Sequence, residues 1–176
     1  MMKQRESGDA AFRRWANNYE RYLFMEYREG RCASNSSACA PENVRAEMNS
    51  VVDAILESFN GLTKGNRPGK QEARLFARMK LFAISTLEGL YGKDPESVLK
   101  NAYEIGLAKN HDYGTDNITR FGVVGLLTRT NDKVCRVITL VGKKENHVKD
   151  ERLEDTLLDI VNYATYGLML TDGVWE

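Results

Sequence analysis

Residues 150–170, DERLEDTLLDIVNYATYGLML, carry the pattern that decides the fold. Their apolar side chains recur every three or four residues, the period of an amphipathic helix, at Leu153, Leu157, Val161, Ala164 and Leu168. Three carboxylates, those of Glu151, Asp155 and Asp159, repeat every four residues along the same segment. Because residues four apart share one face of a helix, the segment predicts a packed helix with an acidic stripe.

The preceding segment, from Ile118 or Phe121 to about Gly142, is rich in β-branched residues, so propensity alone would allow strands there. Its periodicity favours a helix instead. At ~100° per residue, one side collects the apolar residues Val123, Leu127, Val134, Ile138 and Val141. The opposite side collects the charged residues Arg129, Asp132, Lys133 and Arg136. The short connection from Lys143 to Lys149 then predicts an antiparallel helical hairpin.

Four more segments show helical periodicity. Apolar stripes and stop signals place them at residues 10–27, at residues 41–60, from Leu75 to Tyr91, and from Asp94 to about residue 108. Because each apolar stripe must be buried against another, the chain predicts an all-α bundle of five or six helices. We expect residues 1–95 to form an N-terminal helical region of unknown role and residues 96–176 to form a region that contains the hairpin.

The first predicted helix has a large aromatic stripe. Its members are Phe12, Trp15, Tyr19, Tyr22, Leu23 and Tyr27. Packing in the core of this chain is the favoured interpretation, and docking against a second copy or another protein is the alternative.

Composition excludes several classes of protein. Lys plus Arg and Asp plus Glu balance at 25 each, so no overall charge would attract a nucleic-acid duplex or an anionic membrane. The sequence shows neither a signal peptide nor an apolar run of the ~18 residues that span a bilayer, and we expect a cytoplasmic protein.

Of three cysteines, Cys32 and Cys39 lie in a predicted loop and Cys135 in a predicted helix. Free thiols are expected, with a Cys32–Cys39 disulfide or metal pair as the alternative.

The first candidate site is the segment from Lys109 to Gly114 together with Asp116 and Asn117. Gly114 gives the backbone freedom to turn, and the oxygens of Asp112 and its neighbours suit a helix cap, a metal or a hydroxyl group. An ordinary turn is the alternative.

The second candidate is the charged face of the first hairpin helix. Three cations, Arg129, Lys133 and Arg136, surround Asp132, an arrangement suited to phosphate because arginine offers a planar fork of donors and lysine a compact charge. A solvated helix face, with Asp132 and Arg136 as an ordinary ion pair, is the alternative.

The third candidate is the acidic stripe, with Glu154 beside it and Asn162 near its end. Like charges four apart on a helix repel, so the stripe requires compensating cations. These are either basic side chains of the facing helix, which gives a structural ion-pair network, or Mg²⁺, which prefers oxygen ligands. The residues leave both open.

The succession of the three candidate segments along the chain resembles the Nucleotide modification associated domain 1 family. Its members are small proteins or domains of phages and bacteria that genomic context links to DNA-base modification. The resemblance covers about residues 109–170 and implies a nucleotide-related role in a bacterial or phage-infected cell. Glu151 and Glu154 also resemble half of the magnesium-binding motif of the all-α MazG nucleoside triphosphate pyrophosphohydrolases. A matching second pair is absent, since Asp155 and Asp159 are four residues apart.

The leading hypothesis is a nucleotide-handling protein that hydrolyses a nucleoside triphosphate with Mg²⁺. Its predicted catalytic residues are Asp112, Asp155 and Asp159, and its predicted metal ligands are Glu151, Glu154, Asp155 and Asp159. Its predicted substrate-binding residues are Lys109, Tyr113, Arg129, Asp132, Lys133, Arg136 and Asn162. A noncatalytic nucleotide-binding or regulatory protein, or a structural protein, is the alternative.

Overall fold

The computed structural model describes residues 8–29, 40–143 and 152–175. Within these ranges the chain is all-α, as predicted, with seven helices and no strand. They are α1 (Gly8–Glu29), α2 (Pro41–Thr63), α3 (Lys70–Tyr91), α4 (Pro95–Tyr113), α5 (Asp116–Thr119), α6 (Gly122–Leu140) and α7 (Leu153–Thr171). The helix beyond the predicted five or six is α5, a single turn.

Helix α7 is the central element and contacts α1, α3, α4 and α6. The predicted stripe is buried at four of its five positions, with Leu153 partly exposed. Burial extends well beyond the stripe, to Leu158, Ile160, Thr165 and Met169. A helix surrounded by neighbours must be apolar on most of its surface, which explains why periodicity underestimates its buried face.

Helices α6 and α7 form the predicted antiparallel hairpin. Lys133 pairs with Asp159, while the earlier residue Arg129 shares a pocket with the later residue Tyr163. The strand alternative for this region is therefore wrong. Gly122, with a φ of 54°, is the first residue of α6, so the later predicted start, Phe121, agrees with the structure, while Ile118 belongs to the separate helix α5. The connection beyond Lys143 lies outside the described residues.

Helix α4 is longer than predicted and continues beyond residue 108 to Tyr113. Lys109 to Asp112 therefore lie on a helix, and the prediction of a turn that begins at Lys109 is wrong. Asn, His and Asp are weak helix formers, but Asn110 is buried here, and tertiary packing overrides propensity. Gly114, with a φ of 71°, ends the helix. Helix α2 likewise passes the predicted stop after Asn60 and ends at Thr63.

Two glycines allow helices to approach closely. A Cβ at Gly167 of α7 would overlap the ring of Phe76 of α3, and a Cβ at Gly106 of α4 would overlap the ring of Tyr19 of α1. Both rings are fully buried. The absence of a side chain at these glycines thus sets the spacing of α3 and α1 around the centre of the bundle.

Helix α1 is fixed to the rest of the chain by packing and hydrogen bonds. Trp15, Tyr19 and Tyr22 are buried, which confirms core packing for these members of the aromatic stripe. The Tyr22 hydroxyl donates to Asp172 Oδ2 at 2.7 Å. Lys80 of α3 is fully buried, and its Nζ donates to the Tyr22 carbonyl oxygen at 2.7 Å.

In the part of the chain that the structure describes, no helix is long and apolar enough to span a bilayer. Cys135 is an exposed free thiol, and the predictions for Cys32 and Cys39 fall outside the described residues. The predicted division after residue 95 stays a prediction, although α3 on one side of it packs against α7 on the other.

Candidate functional site

A pocket of about 420 Å³ lies where the end of α4 meets α5, α6 and α7. Trp15 of α1, far from the hairpin in sequence, and Trp175, four residues after α7, extend its lining. It is lined by Trp15, Lys109, Asn110, Tyr113, Gly114, Asn117, Ile118, Arg129, Lys133, Asp159, Tyr163, Tyr166 and Trp175. The described residues of the lining thus combine three cations and one carboxylate with five aromatic residues.

Asp159 is the electrostatic centre of the pocket. Lys109 Nζ lies 2.6 Å from its Oδ1, and Lys133 Nζ lies 2.8 Å from its Oδ2, so each carboxylate oxygen has its own lysine. We call Lys109, Lys133 and Asp159 the lysine cluster. Charge-assisted hydrogen bonds of this length fix both ammonium groups beside the pocket.

Arg129 adds a third cation one helical turn before Lys133. Its Nη2 donates to Asn117 Oδ1 at 2.8 Å and to the Asn117 carbonyl oxygen at 3.3 Å. This contact joins α6 to α5 and orients the guanidinium. Since Asp159 is the one carboxylate among the lining residues that the structure describes, these residues carry an excess of two positive charges.

The inner part of the pocket is aromatic. Trp15, Tyr166 and Trp175 are each at most 5% exposed, and we call them the aromatic wall. The rings of Trp15 and Trp175 lie 5.7 Å apart edge to face, and those of Tyr166 and Trp175 lie 5.3 Å apart and perpendicular. Such edge-to-face contacts give aromatic clusters a defined geometry. Tyr113, 69% exposed, is at the outer rim.

The buried tyrosines near the pocket are neutral hydrogen-bonding groups. Burial raises the pKa of Tyr166, and it raises the pKa of Tyr19 beneath the wall well above its ordinary value. Desolvation disfavours the phenolate in both cases. Neither side chain can therefore act as an anionic base near neutral pH.

Five predicted site residues meet in this pocket: Lys109, Tyr113, Arg129, Lys133 and Asp159. Helix geometry explains the grouping, since Lys109 and Tyr113, like Arg129 and Lys133, are four residues apart and share a face. Asp132 and Arg136 are not among the lining residues. Asp112 also lies outside the lining, and its carboxylate approaches His111 Nδ1 at 3.2 Å on an exposed surface.

The other predicted acids have separate partners. Asp155 Oδ2 accepts a hydrogen bond from the backbone N–H of Arg152 at 3.1 Å, at the first turn of α7. Glu154 pairs with Lys93 at 3.0 Å. Asp155, Glu154 and Asp159 thus belong, in that order, to a helix start, an ion pair with the loop after α3, and the lysine cluster.

The described residues do not fit a magnesium site on these carboxylates. Among them, no three His, Cys, Asp or Glu side chains come together as a potential metal site. Both oxygens of Asp159 face ammonium groups, which a divalent cation would have to displace. Glu151, the fourth predicted ligand, lies outside the described residues, so the predicted magnesium site stays a prediction.

Asn162, predicted to bind substrate, is buried beneath the pocket and is not part of its lining. Its Oδ1 lies 2.7 Å from the Tyr19 hydroxyl, which is also 2.9 Å from the Ala102 carbonyl oxygen. The hydroxyl has one proton and donates to one of the two oxygens at a time. Asn162 therefore supports Tyr19, which stacks on Trp15 at 5.1 Å.

Sequence reasoning missed the aromatic wall. Trp15 stands out in the aromatic stripe of the first helix, but the stripe does not indicate a partner 160 residues away. Tyr166 belongs to the final helix without lying on its apolar stripe. Trp175 follows the helix, and no local pattern around it predicts a site.

Comparison with protein families matches residues 109–170 to the Nucleotide modification associated domain 1 family. The match confirms the resemblance for this segment, which is about a third of the chain. It contains the lysine cluster, Arg129 and Tyr166, while Trp15 and Trp175 lie outside it. No curated protein and no solved structure matches the chain.

Proposed function

We propose that this chain binds a nucleotide in the pocket between α4, α6 and α7, as a noncatalytic component of nucleotide or DNA-base modification in a bacterial or phage-infected cell. The observation that carries the proposal is the meeting of three oriented cations with an aromatic wall in one pocket. The family match supports a link to nucleotide modification, and the geometry supports the binding role.

The cations suit a phosphate group. Arg129 offers a planar set of donors, and Lys109 and Lys133 offer compact charges on either side of Asp159. Phosphate oxygens can join or replace the Asp159 carboxylate as acceptors for the same ammonium groups. Asp159 keeps the lysines in place and lowers their mutual repulsion.

The aromatic residues suit the remainder of a nucleotide. Ligand pockets of ~300–1,000 Å³ combine apolar and aromatic walls with a few oriented polar groups, and this pocket has that size and composition. A free phosphate ion would use the cations alone. A nucleotide would use both halves of the lining.

Binding is favoured over metal-dependent hydrolysis because the three predicted metal ligands that the structure describes form no common metal-binding group. Glu154, Asp155 and Asp159 have three different sets of partners. Hydrolysis also needs a positioned water or nucleophile, for which Asp112 lies outside the pocket lining. The pyrophosphohydrolase hypothesis therefore becomes an outcome of the test below.

The test is isothermal titration calorimetry with a panel of deoxynucleoside mono- and triphosphates, with Mg²⁺ and with a chelator, alongside an assay for released pyrophosphate. We expect binding that persists without Mg²⁺ and no release of pyrophosphate. Arg129→Ala should weaken binding, whereas Arg74→Ala, which removes an exposed cation outside the pocket, should not. Turnover that requires Mg²⁺ would establish the hydrolase instead, and no binding by any nucleotide would refute the proposal.

A further inference from the structure

We infer, on the basis of the proposed nucleotide site, that the aromatic wall holds the base and selects bases that present a carbonyl acceptor where others carry an amino group. The phosphate then lies at Arg129 and the lysine cluster. This assigns an orientation to the ligand and gives Trp15 and Trp175 a role in specificity.

The orientation follows from burial. Lys109 and Lys133 keep 46% and 25% of their side-chain surface exposed, so a phosphate bound there stays partly hydrated. The aromatic wall is almost fully buried. A planar base can pack against the small part of these rings that reaches the pocket, whereas an anion loses hydration there without a compensating charge.

The preference for acceptors follows from two indole N–H groups. Trp15 Nε1 and Trp175 Nε1 are buried, and neither has a hydrogen-bond partner among the described residues. Buried donors are normally paired, so two unpaired donors at one pocket indicate acceptors from a ligand. Among the side chains that line the pocket, the buried polar atoms without a partner are both donors.

This set of donors distinguishes bases by their edges. Guanine presents the O6 carbonyl and thymine the O4 carbonyl, while adenine and cytosine carry an amino donor at the corresponding position. The N7 acceptor is common to guanine and adenine and does not distinguish them. Because both Nε1 atoms are buried, an indole ring has to shift on binding so that its N–H reaches such a carbonyl acceptor. We therefore expect guanine and thymine nucleotides to bind more tightly than adenine and cytosine nucleotides.

The chain has two tryptophans, and both line this pocket, so intrinsic fluorescence reports directly on the aromatic wall. Titration with deoxyguanosine and thymidine monophosphates should change the tryptophan emission. Inorganic phosphate should bind by calorimetry at the lysine cluster with little change in emission. Equal changes with inorganic phosphate would overturn the orientation.

The variants Trp15→Phe and Trp175→Phe keep a ring at each position and remove the N–H. Loss of one hydrogen bond should weaken deoxyguanosine or thymidine monophosphate binding by about 2- to 10-fold, with a smaller effect on deoxyadenosine monophosphate. Tyr91→Phe, outside the pocket, is the control, and thermal melts show whether each variant is folded. Since Trp175 follows the last helix, its variant gives a second measurement should Trp15→Phe fail to fold.

The two proposals fail in different ways. If calorimetry detects nucleotides but emission is unchanged and both variants bind as wild type does, the base lies elsewhere and only this inference is overturned. If calorimetry detects no nucleotide, the proposed function fails as well.

Discussion

The pocket at the hairpin and the cleft between α2 and α3 have nearly equal volumes, about 420 and 430 Å³. Each also has at least two basic residues, since Arg74 and Arg78 line the α2–α3 cleft. Among the described residues that line that cleft there is no aromatic side chain. Arg78 there bonds Glu47 at 2.7 Å and Ser50 at 3.0 Å on an exposed surface.

The difference shows that neither volume nor positive charge alone indicates a nucleotide site. In the cleft, Arg78 serves an ion pair between neighbouring helices, and exposed pairs of this kind contribute little. In the pocket, the cations lie beside buried rings and a shielded carboxylate. If this contrast reflects function, changes in the pocket affect nucleotide binding and matched changes in the cleft do not.

The largest expected effect is on nucleotide affinity. Lys133→Ala removes a charge-assisted contact to phosphate and should raise the Kd by about 10- to 100-fold, or roughly 1.5–3 kcal/mol. Arg78→Ala, the matched change in the α2–α3 cleft, should leave the Kd unchanged. Calorimetry on both variants checks the comparison, and equal losses would mean that the pocket has no special role.

The next largest effect is on the stability that the packing of α3 against α7 gives to the fold. Gly167→Ala places a Cβ against the ring of Phe76 and should lower the free energy of unfolding by about 1–3 kcal/mol. Gly69→Ala is the control, because a Cβ there meets no atom within 4 Å. Urea unfolding measures both. If Gly167→Ala loses no more stability than the control, α3 and α7 can move apart enough to accommodate the added Cβ without a cost in stability.

The sequence indicates one half of this site better than the other. Lys109 and Tyr113, and Arg129 and Lys133, follow from spacings of four residues on helices, so local periodicity places the cations together. Trp15 and Trp175 reach the pocket through the packing of α1 and the C-terminal segment, which no local pattern encodes. The acidic repeat suggests a shared role for Asp155 and Asp159 that the structure does not show. Their different partners depend on tertiary contacts, which the spacing of the two residues does not reveal.

A smaller effect concerns the bond that joins the C-terminal segment to α1. Tyr22→Phe removes the hydrogen bond to Asp172 and should cost about 0.5–1.5 kcal/mol at pH 8. Burial, followed by the bond to Asp172, raises the pKa of Tyr22 to about 12. The folded state therefore favours the protonated hydroxyl, and its contribution is complete below about pH 10, the ordinary tyrosine value.

This stabilisation is lost as the pH rises from about 10 to 12. The stability difference between wild type and Tyr22→Phe should therefore shrink across that window, as measured by urea unfolding at each pH. Tyr19 and Tyr166 are present in both proteins, so the difference isolates Tyr22. A constant difference would contradict the assignment.

The smallest effect distinguishes the two interpretations of Asp159. If this carboxylate only balances the charges of Lys109 and Lys133, Asp159→Asn should leave nucleotide affinity unchanged or tighten it up to about fivefold. This limit corresponds to the free energy of a partly exposed ion pair. If the carboxylate holds a metal, the same change should weaken binding with Mg²⁺ and have less effect with a chelator. Calorimetry under both conditions decides, with Glu47→Gln, which changes the ion-pair partner of Arg78, as the control.

The buried position of Lys80 also has a practical consequence for covalent labelling. An amine-reactive acylating reagent reaches Lys109 on the folded surface, but it reaches Lys80 only when α1 detaches from α3. Mass spectrometry of the labelled chain would then record two rates. Acylation of Lys109 would report ligand protection, while acylation of Lys80 would time the local opening of the bundle.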